Sequence, residues 1–277
     1  MNKDIKYVIG IGPVRSGTTW LFEILKSHPR ISVPIGLKET NFWLEKRETT
    51  DDEYLKKFSI KPGSNLALDI SPNYISDLSF IERNPAILEK SLFIINLRDP
   101  NSRISSMIDY QLGHHGNHMN IESFLQFKWA KNQIFLSKKI EYLIDKSGRN
   151  KIFFCNFSYI KNDPKKLYTE LCSFLKIPED DAVQELLFQK IHRSFQPRNK
   201  LISKAIPKVQ HFIRFRLRFT ALADYLKNAE WLKRILEKPK EKKNLSDTLP
   251  QELIIKINND TNAIENLTGL NLNDWKI

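Results

Sequence analysis

The chain has 277 residues, 41% of them hydrophobic and 27% charged, which is enough for one large core and excludes a disordered or fibrous protein. Its two cysteines, Cys155 and Cys172, lie in the apolar settings Ile152-Phe153-Phe154-Cys155 and Leu171-Cys172-Ser173-Phe174 and lack metal-ligand spacing, so they read as buried free thiols and exclude a disulfide framework. The net charge of +12 is concentrated, because Arg198–Lys243 holds 14 Lys/Arg against 4 Asp/Glu and leaves the rest of the chain near neutral. Such a stretch fits contact with an anion, or a solvated lysine-rich face.

At the N-terminus, lysines precede a short apolar run, Tyr7–Ile11, which is too short for a signal peptide and reads as a buried strand. A helix follows over Thr18–Ser27, with Trp20, Leu21, Ile24 and Leu25 on one face, and His28-Pro29 ends it. Further strands are predicted at Asn65–Ile70, Leu92–Leu97 and Ile152–Cys155. Helical patterns run over Asn101–Leu112, Ile121–Lys146 and Pro164–Leu175. This alternation predicts an α/β fold, a single domain with a central parallel sheet flanked by helices. There is no internal repeat, and the one domain spans residues 1–277, with 197–244 as a basic insertion or lid within it. No apolar stretch approaches the roughly 20 residues of a membrane span, so a soluble cytoplasmic protein is expected.

The first strand runs into Gly12-Pro13-Val14-Arg15-Ser16-Gly17-Thr18-Thr19-Trp20 and then a helix, a P-loop-like unit whose unpaired N–H groups and helix dipole favour an anion. Gly17 allows close backbone approach, and Thr18 and Thr19 add hydroxyl donors. The spacing Gly12 to Gly17 fits the nucleotide motif G-x-x-x-x-G-K-[ST], but Thr18 stands where a kinase or ATPase needs its phosphate-clamping lysine. Here the cation is Arg15, two residues before the second glycine. The stretch Arg15–Trp20 closely resembles the 5′-phosphosulfate loop of sulfotransferases that use 3′-phosphoadenosine-5′-phosphosulfate (PAPS), usually K-x-G-T-T-x-L or K-S-G-T-T-W. The resemblance implies that Arg15, Ser16, Gly17, Thr18, Thr19 and Trp20 hold the donor. It also implies that Arg15, in place of the usual lysine, stabilises charge on the leaving oxygen with a planar fork instead of a compact ammonium.

After the strand Leu92–Leu97 comes Arg98-Asp99-Pro100-Asn101-Ser102-Arg103-Ile104-Ser105-Ser106, an arginine at a strand's carboxyl end with a serine about two helical turns further on. Asp99-Pro100 suits a capped helix start. Arg98 and Ser106 also match the same family's 3′-phosphate motif, R-D-P-x-x-R-x-x-S, and the resemblance assigns them that phosphate. Arg198, at the head of the basic segment, is expected to add a further donor contact.

Between these motifs, Gly36-Leu37-Lys38-Glu39-Thr40-Asn41-Phe42-Trp43 resembles the K-E-x-x-F-F segment of the heparan-type and bacterial branch. Carried over, Glu39 is the general base on the acceptor and Lys38 lies near the transferring group. The histidine base of the steroid and phenol branch has no counterpart, since no histidine lies between His28 and His114. Asn41, with Ser71 and Tyr74 from the E-K-[ST]-P-x-Y-like segment Asp69–Tyr74, is expected to face the acceptor, although Ile70 stands where that pattern has lysine. His114, His115 and His118 cluster in a loop after the helix of Ser106, where they could touch the acceptor, as His114 and His115 are assigned, back up Glu39, or be solvated, with metal binding least favoured. The end, Leu267–Trp275, resembles the family's L-x-G-x-[DN]-L-x-x-W closure. The resemblance therefore implies a PAPS-dependent sulfotransferase without a metal, acting on a small polar metabolite, a saccharide or a natural product such as a saxitoxin-type alkaloid. No nucleic-acid partner is expected. The competing readings are a P-loop kinase or ATPase, and a non-enzymatic binder of anions, nucleic acid or membranes using Arg214-Phe215-Arg216-Leu217-Arg218-Phe219.

Overall fold

The structure, a computed structural model, describes residues 5–45, 50–115, 121–188, 195–197, 237–239 and 249–277. The chain divides into two compact units, Met1–Gln189 with Asn244–Ile277, and Lys190–Lys243.

The first unit runs β1 (Lys6–Gly12), α1 (Thr18–Ser27), β2 (Ile31–Pro34), α2 (Asp51–Leu55), β3 (Phe58–Ser59), β4 (Leu66–Ile70), α3 (Phe80–Arg83), α4 (Pro85–Lys90), β5 (Ser91–Leu97) and α5 (Pro100–His115). It continues through α6 (Ile121–Gln126), α7 (Lys128–Ile134), α8 (Ser137–Ser147), β6 (Ile152–Asn156), α9 (Phe157–Asn162), α10 (Pro164–Leu175), α11 (Asp181–Leu186) and the C-terminal α12 (Gln251–Thr268). Six strands form one sheet in the order β3-β2-β4-β1-β5-β6, parallel except where β3 pairs antiparallel to β2 at the edge. The central strand β1 is buried from Tyr7 to Gly12, with Val8 between Leu68 of β4 and Leu92 of β5. A strand covered on both faces must be apolar throughout, which is why the run Tyr7–Ile11 reads so plainly. Among the described residues one apolar cluster includes Tyr7, Ile9, Trp43, Phe80 and Ile140, and another joins Ile104, Met107, Phe124, Ile134 and Ile257.

The chain leaves β1 toward β2 on one side and leaves β5 toward β6 on the other. Crossovers diverge between β1 and β5, and the crevice beyond the carboxyl ends of diverging strands is where open α/β sheets bind ligands. The loops following β1, β2, β4 and β5 all open there.

The α/β class with a mostly parallel sheet agrees with the sequence reading, but several elements differ. The helical pattern over Ile121–Lys146 is three helices, broken at Phe127 (φ −73°, ψ 119°) and at Phe135 (φ −92°, ψ 117°). The second break is fixed by Asp260 of α12, whose carboxylate accepts from Leu136 N at 2.9 Å and Ser137 N at 3.0 Å. Helix α5 reaches His115, so His114 and His115 belong to its last turn and not to a loop. In the second unit the described residues form a two-stranded antiparallel ladder, β7 (Phe195–Pro197) with β8 (Glu237–Pro239). Most of the basic stretch, including Arg198, lies outside the described residues.

Candidate active site

The loop between β1 and α1 is shaped by two glycines at positive φ, where any side chain would be strained. At Gly12 (φ +107°) a Cβ would lie 2.2 Å from the carbonyl oxygen of Pro72, so the loop can turn against the segment after β4 only without a side chain. Gly17 (φ +90°) caps α1 with no side chain, and a Cβ there would sit 2.7 Å from Ile160 Cδ1. The first intrahelical bond is Leu21 N to Gly17 O, which leaves the N–H groups of the first turn directed into the crevice. Val14 N donates to Gln133 Oε1 at 2.9 Å, and the fully buried Gln133 in turn donates to Ser76 Oγ at 2.9 Å, clamping the loop from behind. The Ser16 hydroxyl is buried and donates to Pro13 O. Thr18 and Trp20 are buried, Trp20 with Leu21, Phe22, Ile24 and Leu25 on α1.

Arg15 and Arg98 meet at this loop. Arg15 Nε donates to Ser106 Oγ at 2.9 Å, and Arg98 Nη1 donates to the Arg15 carbonyl at 2.8 Å, so the two sequence motifs form one site. Arg15 adopts φ 63°, a left-handed conformation that costs a non-glycine residue about 1–3 kcal/mol, and the bond from Arg98 helps hold it. The guanidinium of Arg15 lies over Tyr110 at 5.3 Å and that of Arg98 over Phe157 at 4.6 Å. Among the described residues neither makes an ion pair with a carboxylate. Asp99 uses its oxygens to cap α5, accepting from Asn101 N at 3.1 Å and Ser102 N at 2.9 Å. Burial holds both arginines below their ordinary pKa, against the opposing pull of Tyr110 and Asp109 on Arg15 and of Asp99 on Arg98, and the neighbouring Arg15 lowers Arg98 further. Two half-buried cations that make no direct ion pair among the described residues, beside a helix N-terminus, form a site suited to a multiply charged anion. Arg103, the second arginine of the same stretch, does different work. It is buried and donates to the carbonyls of Gln133 and Ile134, joining α5 to α7.

On the β2 side of the crevice, Lys38 Nζ donates to Glu39 Oε1 at 2.8 Å and to Thr19 Oγ1 at 3.3 Å, linking the Lys38-Glu39 pair to the first turn of α1. Both side chains are partly exposed, at 23% and 37%. Behind them Asp69, fully buried at the end of β4, accepts from Thr40 Oγ1 at 2.5 Å, Tyr74 OH at 2.7 Å, Tyr54 OH at 2.9 Å and Ser71 Oγ at 2.8 Å. Burial pushes the Asp69 carboxyl above its ordinary value, while these donors, Thr40 first, pull it back. Asn41 N donates to Ser71 Oγ at 3.0 Å. Ser71 and Tyr74 are thus fully buried, with their hydroxyls committed to Asp69. His118, like Arg198, lies outside the described residues.

The roles of Asp69, Thr40, Tyr54 and Gln133 are not visible in the motifs. The available signal is Asp69 itself, a carboxylate within the apolar run Leu66-Ala67-Leu68-Asp69-Ile70, since a charge on a buried strand requires partners. Among the described residues no group of three or more His, Cys, Asp or Glu is placed to hold a metal ion, and no helix is long and apolar enough to cross a membrane.

Comparison with known proteins gives a family. The sulfotransferase domain family matches residues 6–220, from β1 through every site residue described above. None of the curated proteins matches the sequence. Among solved structures, a sulfotransferase from Alicyclobacillus acidocaldarius is similar with a TM-score of 0.64 at 16% identity, over 99% of this chain and 99% of that one. The sulfotransferase domain from the curacin biosynthetic pathway gives 0.51 at 15% identity, over 69% of this chain and 80% of that one. A mouse sulfotransferase complexed with PAP (3′-phosphoadenosine 5′-phosphate) gives 0.42 at 18%, over 68% and 64%. At such identities the structural likeness is one of fold, whereas the family match covers most of the chain: it belongs to the sulfotransferase domain family and is a sulfotransferase enzyme.

Proposed function

We propose that this sulfotransferase moves a sulfonate group from PAPS to a hydroxyl or amine of a small polar metabolite, a natural product or a saccharide, and releases PAP. The observation that carries the reading is the junction of Arg15, Ser106 and Arg98, which brings two half-buried guanidinium groups to one helix N-terminus, neither in a direct ion pair with a carboxylate among the described residues. That donor set fits a ligand with phosphate at both ends of a nucleoside. Arg98 and Ser106 take the 3′-phosphate. The first-turn N–H groups, Thr18 and Thr19 take the 5′ side, with Arg15 beside the leaving oxygen. PAPS supplies the sulfonate group. Glu39 accepts the acceptor's proton as its oxygen or nitrogen bonds to sulfur, and the bond from sulfur to the bridging phosphate oxygen breaks with its electron pair left on that oxygen. Arg15 and Lys38 offset the charge that develops there. The bond from Lys38 to both Glu39 and Thr19 supports this arrangement, because it links the proposed base to the donor loop. The assignment to the heparan-type and bacterial branch rests on the Lys38-Glu39 segment.

The test is transfer of labelled sulfonate from PAPS to a panel of guanidinium alkaloids, sugars and simple phenols. Labelled product from an alkaloid or a sugar is expected. Turnover confined to phenols would contradict the acceptor class, and no transfer with any acceptor together with no PAP binding would contradict the donor.

A further inference from the structure

Asp69 is a buried carboxylate whose four recorded partners are all hydroxyls, and among the described residues it has no cation to balance it. An ionised carboxylate has about four acceptor sites, and burial without partners is strongly unfavourable. Here the donors come from three separate parts of the chain. Ser71 and Tyr74 lie just beyond β4, Tyr54 is on α2, and Thr40 is on the loop after β2. Thr40 is the residue next to Glu39. The loop is anchored at its far end by the buried Phe42 and Trp43 and through Lys38 by Thr19, whereas Ile35 and Leu37 just before Lys38 are 64% and 66% exposed, so Thr40 is the buried-network contact nearest Glu39. After Thr40, Asn41 sits in a left-handed conformation (φ 48°) and its N–H donates to Ser71, itself bonded to Asp69. One carboxylate therefore holds both Thr40 and, through Ser71, Asn41.

We propose that Asp69 is a positioning residue for the transfer reaction: it fixes Thr40 and Asn41 against the end of β4 and so holds Glu39 and Lys38 in register with the donor loop. The inference rests on the reading of Glu39 as base. It also gives a physical reason for an acidic residue within an otherwise apolar strand. A single acceptor can order two hydroxyls just beyond β4, a helix and the loop of Glu39 at once, and no apolar side chain could. Tyr54 is the internal control, because it spends the same kind of bond on the same carboxylate oxygen from α2 and lies away from Glu39 in sequence.

The decisive measurement needs no acceptor. Amide exchange at Asn41 is followed by NMR in the PAP-bound protein, because its bond goes to Ser71 and Thr40→Val leaves that bond's two atoms intact. Thr40→Val should speed Asn41 exchange about fivefold or more, the size of one lost hydrogen bond. Tyr54→Phe should lower the melting temperature about as much as Thr40→Val does yet leave Asn41 exchange as in the wild type, and Thr40→Ser should keep Asn41 exchange near the wild-type rate. PAP affinity should be unchanged in all three. With the acceptor found by the panel, kcat should fall in Thr40→Val but fall no further when Thr40→Val is added to Glu39→Gln. Unchanged Asn41 exchange in Thr40→Val, or equal acceleration in Tyr54→Phe, would overturn the proposal and leave Asp69 a stability residue. Full turnover in Glu39→Gln with the exchange pattern intact would instead overturn the base assignment, so the two failures are distinct.

Discussion

Arg98→Ala separates donor recognition from loop support, because Arg98 does two things that differ between ligands. Its bond to the Arg15 carbonyl at 2.8 Å holds the donor loop whichever nucleotide is bound, and losing it should weaken any ligand by about 1 kcal/mol, or roughly fivefold. Its proposed contact with the 3′-phosphate is a charge-assisted bond worth about 1.5–3 kcal/mol, or roughly ten- to a hundredfold, and applies only to ligands that carry that phosphate. The guanidinium is already fixed over Phe157 at 4.6 Å, so little ordering is needed when the ligand binds. Calorimetry with PAP and with adenosine 5′-phosphosulfate, which lacks the 3′-phosphate, reads the two contributions apart. PAP should lose at least ten times more affinity than adenosine 5′-phosphosulfate. Equal losses would mean that Arg98 serves only the loop, and the assignment of the 3′-phosphate would be wrong.

Glu39→Gln should lower kcat about 10²–10⁴-fold, the usual loss on removing a general base, with PAP affinity nearly unchanged; near-full activity there, with loss in His114→Ala or His115→Ala, would move the base to helix α5. Gly17→Ala should reduce both melting temperature and PAP affinity, since its Cβ would meet Ile160 Cδ1 at 2.7 Å and Phe157 Cδ2 at 2.8 Å at a φ of +90°; wild-type behaviour would refute the packing of α9 against the loop. Burial pushes the Cys155 thiol up to about 12 and the Cys172 thiol up to about 11, so at pH 8 neither should react with a thiol reagent that labels both in urea. Because these folded values lie above the ordinary thiol value of about 8.5, their contribution to stability should be complete below that pH and fade as pH rises toward 11–12. Stability that increases over that range would show the reverse sign.

Much of the fold is legible because the central strands are covered on both faces and cannot disguise their apolar runs, as Tyr7–Ile11 and Leu92–Leu97 show. Strand β2 is missed because it is four residues long, ends in Pro34, and buries Ser32, whose hydroxyl is satisfied by Ser64 at 2.8 Å from a distant segment. The break before α8 is set by Asp260, 124 residues away from Leu136, and no local pattern records such a partner. The donor loop and Arg98 can be read because strand, glycine, cation and hydroxyls follow each other in sequence. The network around Asp69 cannot, since its members come from a loop, a helix and a strand end that only the sheet order brings together. Helix α12 ends at Gly269 in a left-handed C-cap, which the closing segment Leu267–Trp275 already contains, yet Gln251–Thr268 is not legible as a helix because its buried face, Leu253, Ile257, Thr261, Ile264 and Thr268, includes two threonines.

The central claim is that Arg15, Arg98 and the first turn of α1 form a PAPS site. Calorimetry of the whole chain with PAP in EDTA tests it most directly, with adenosine 5′-phosphate as the comparison. One PAP should bind per chain, at least tenfold tighter than adenosine 5′-phosphate and unaffected by the chelator, because both phosphates find protein cations and N–H groups. Failure to bind PAP, loss of binding on chelation, or equal affinity for the two nucleotides would contradict the account.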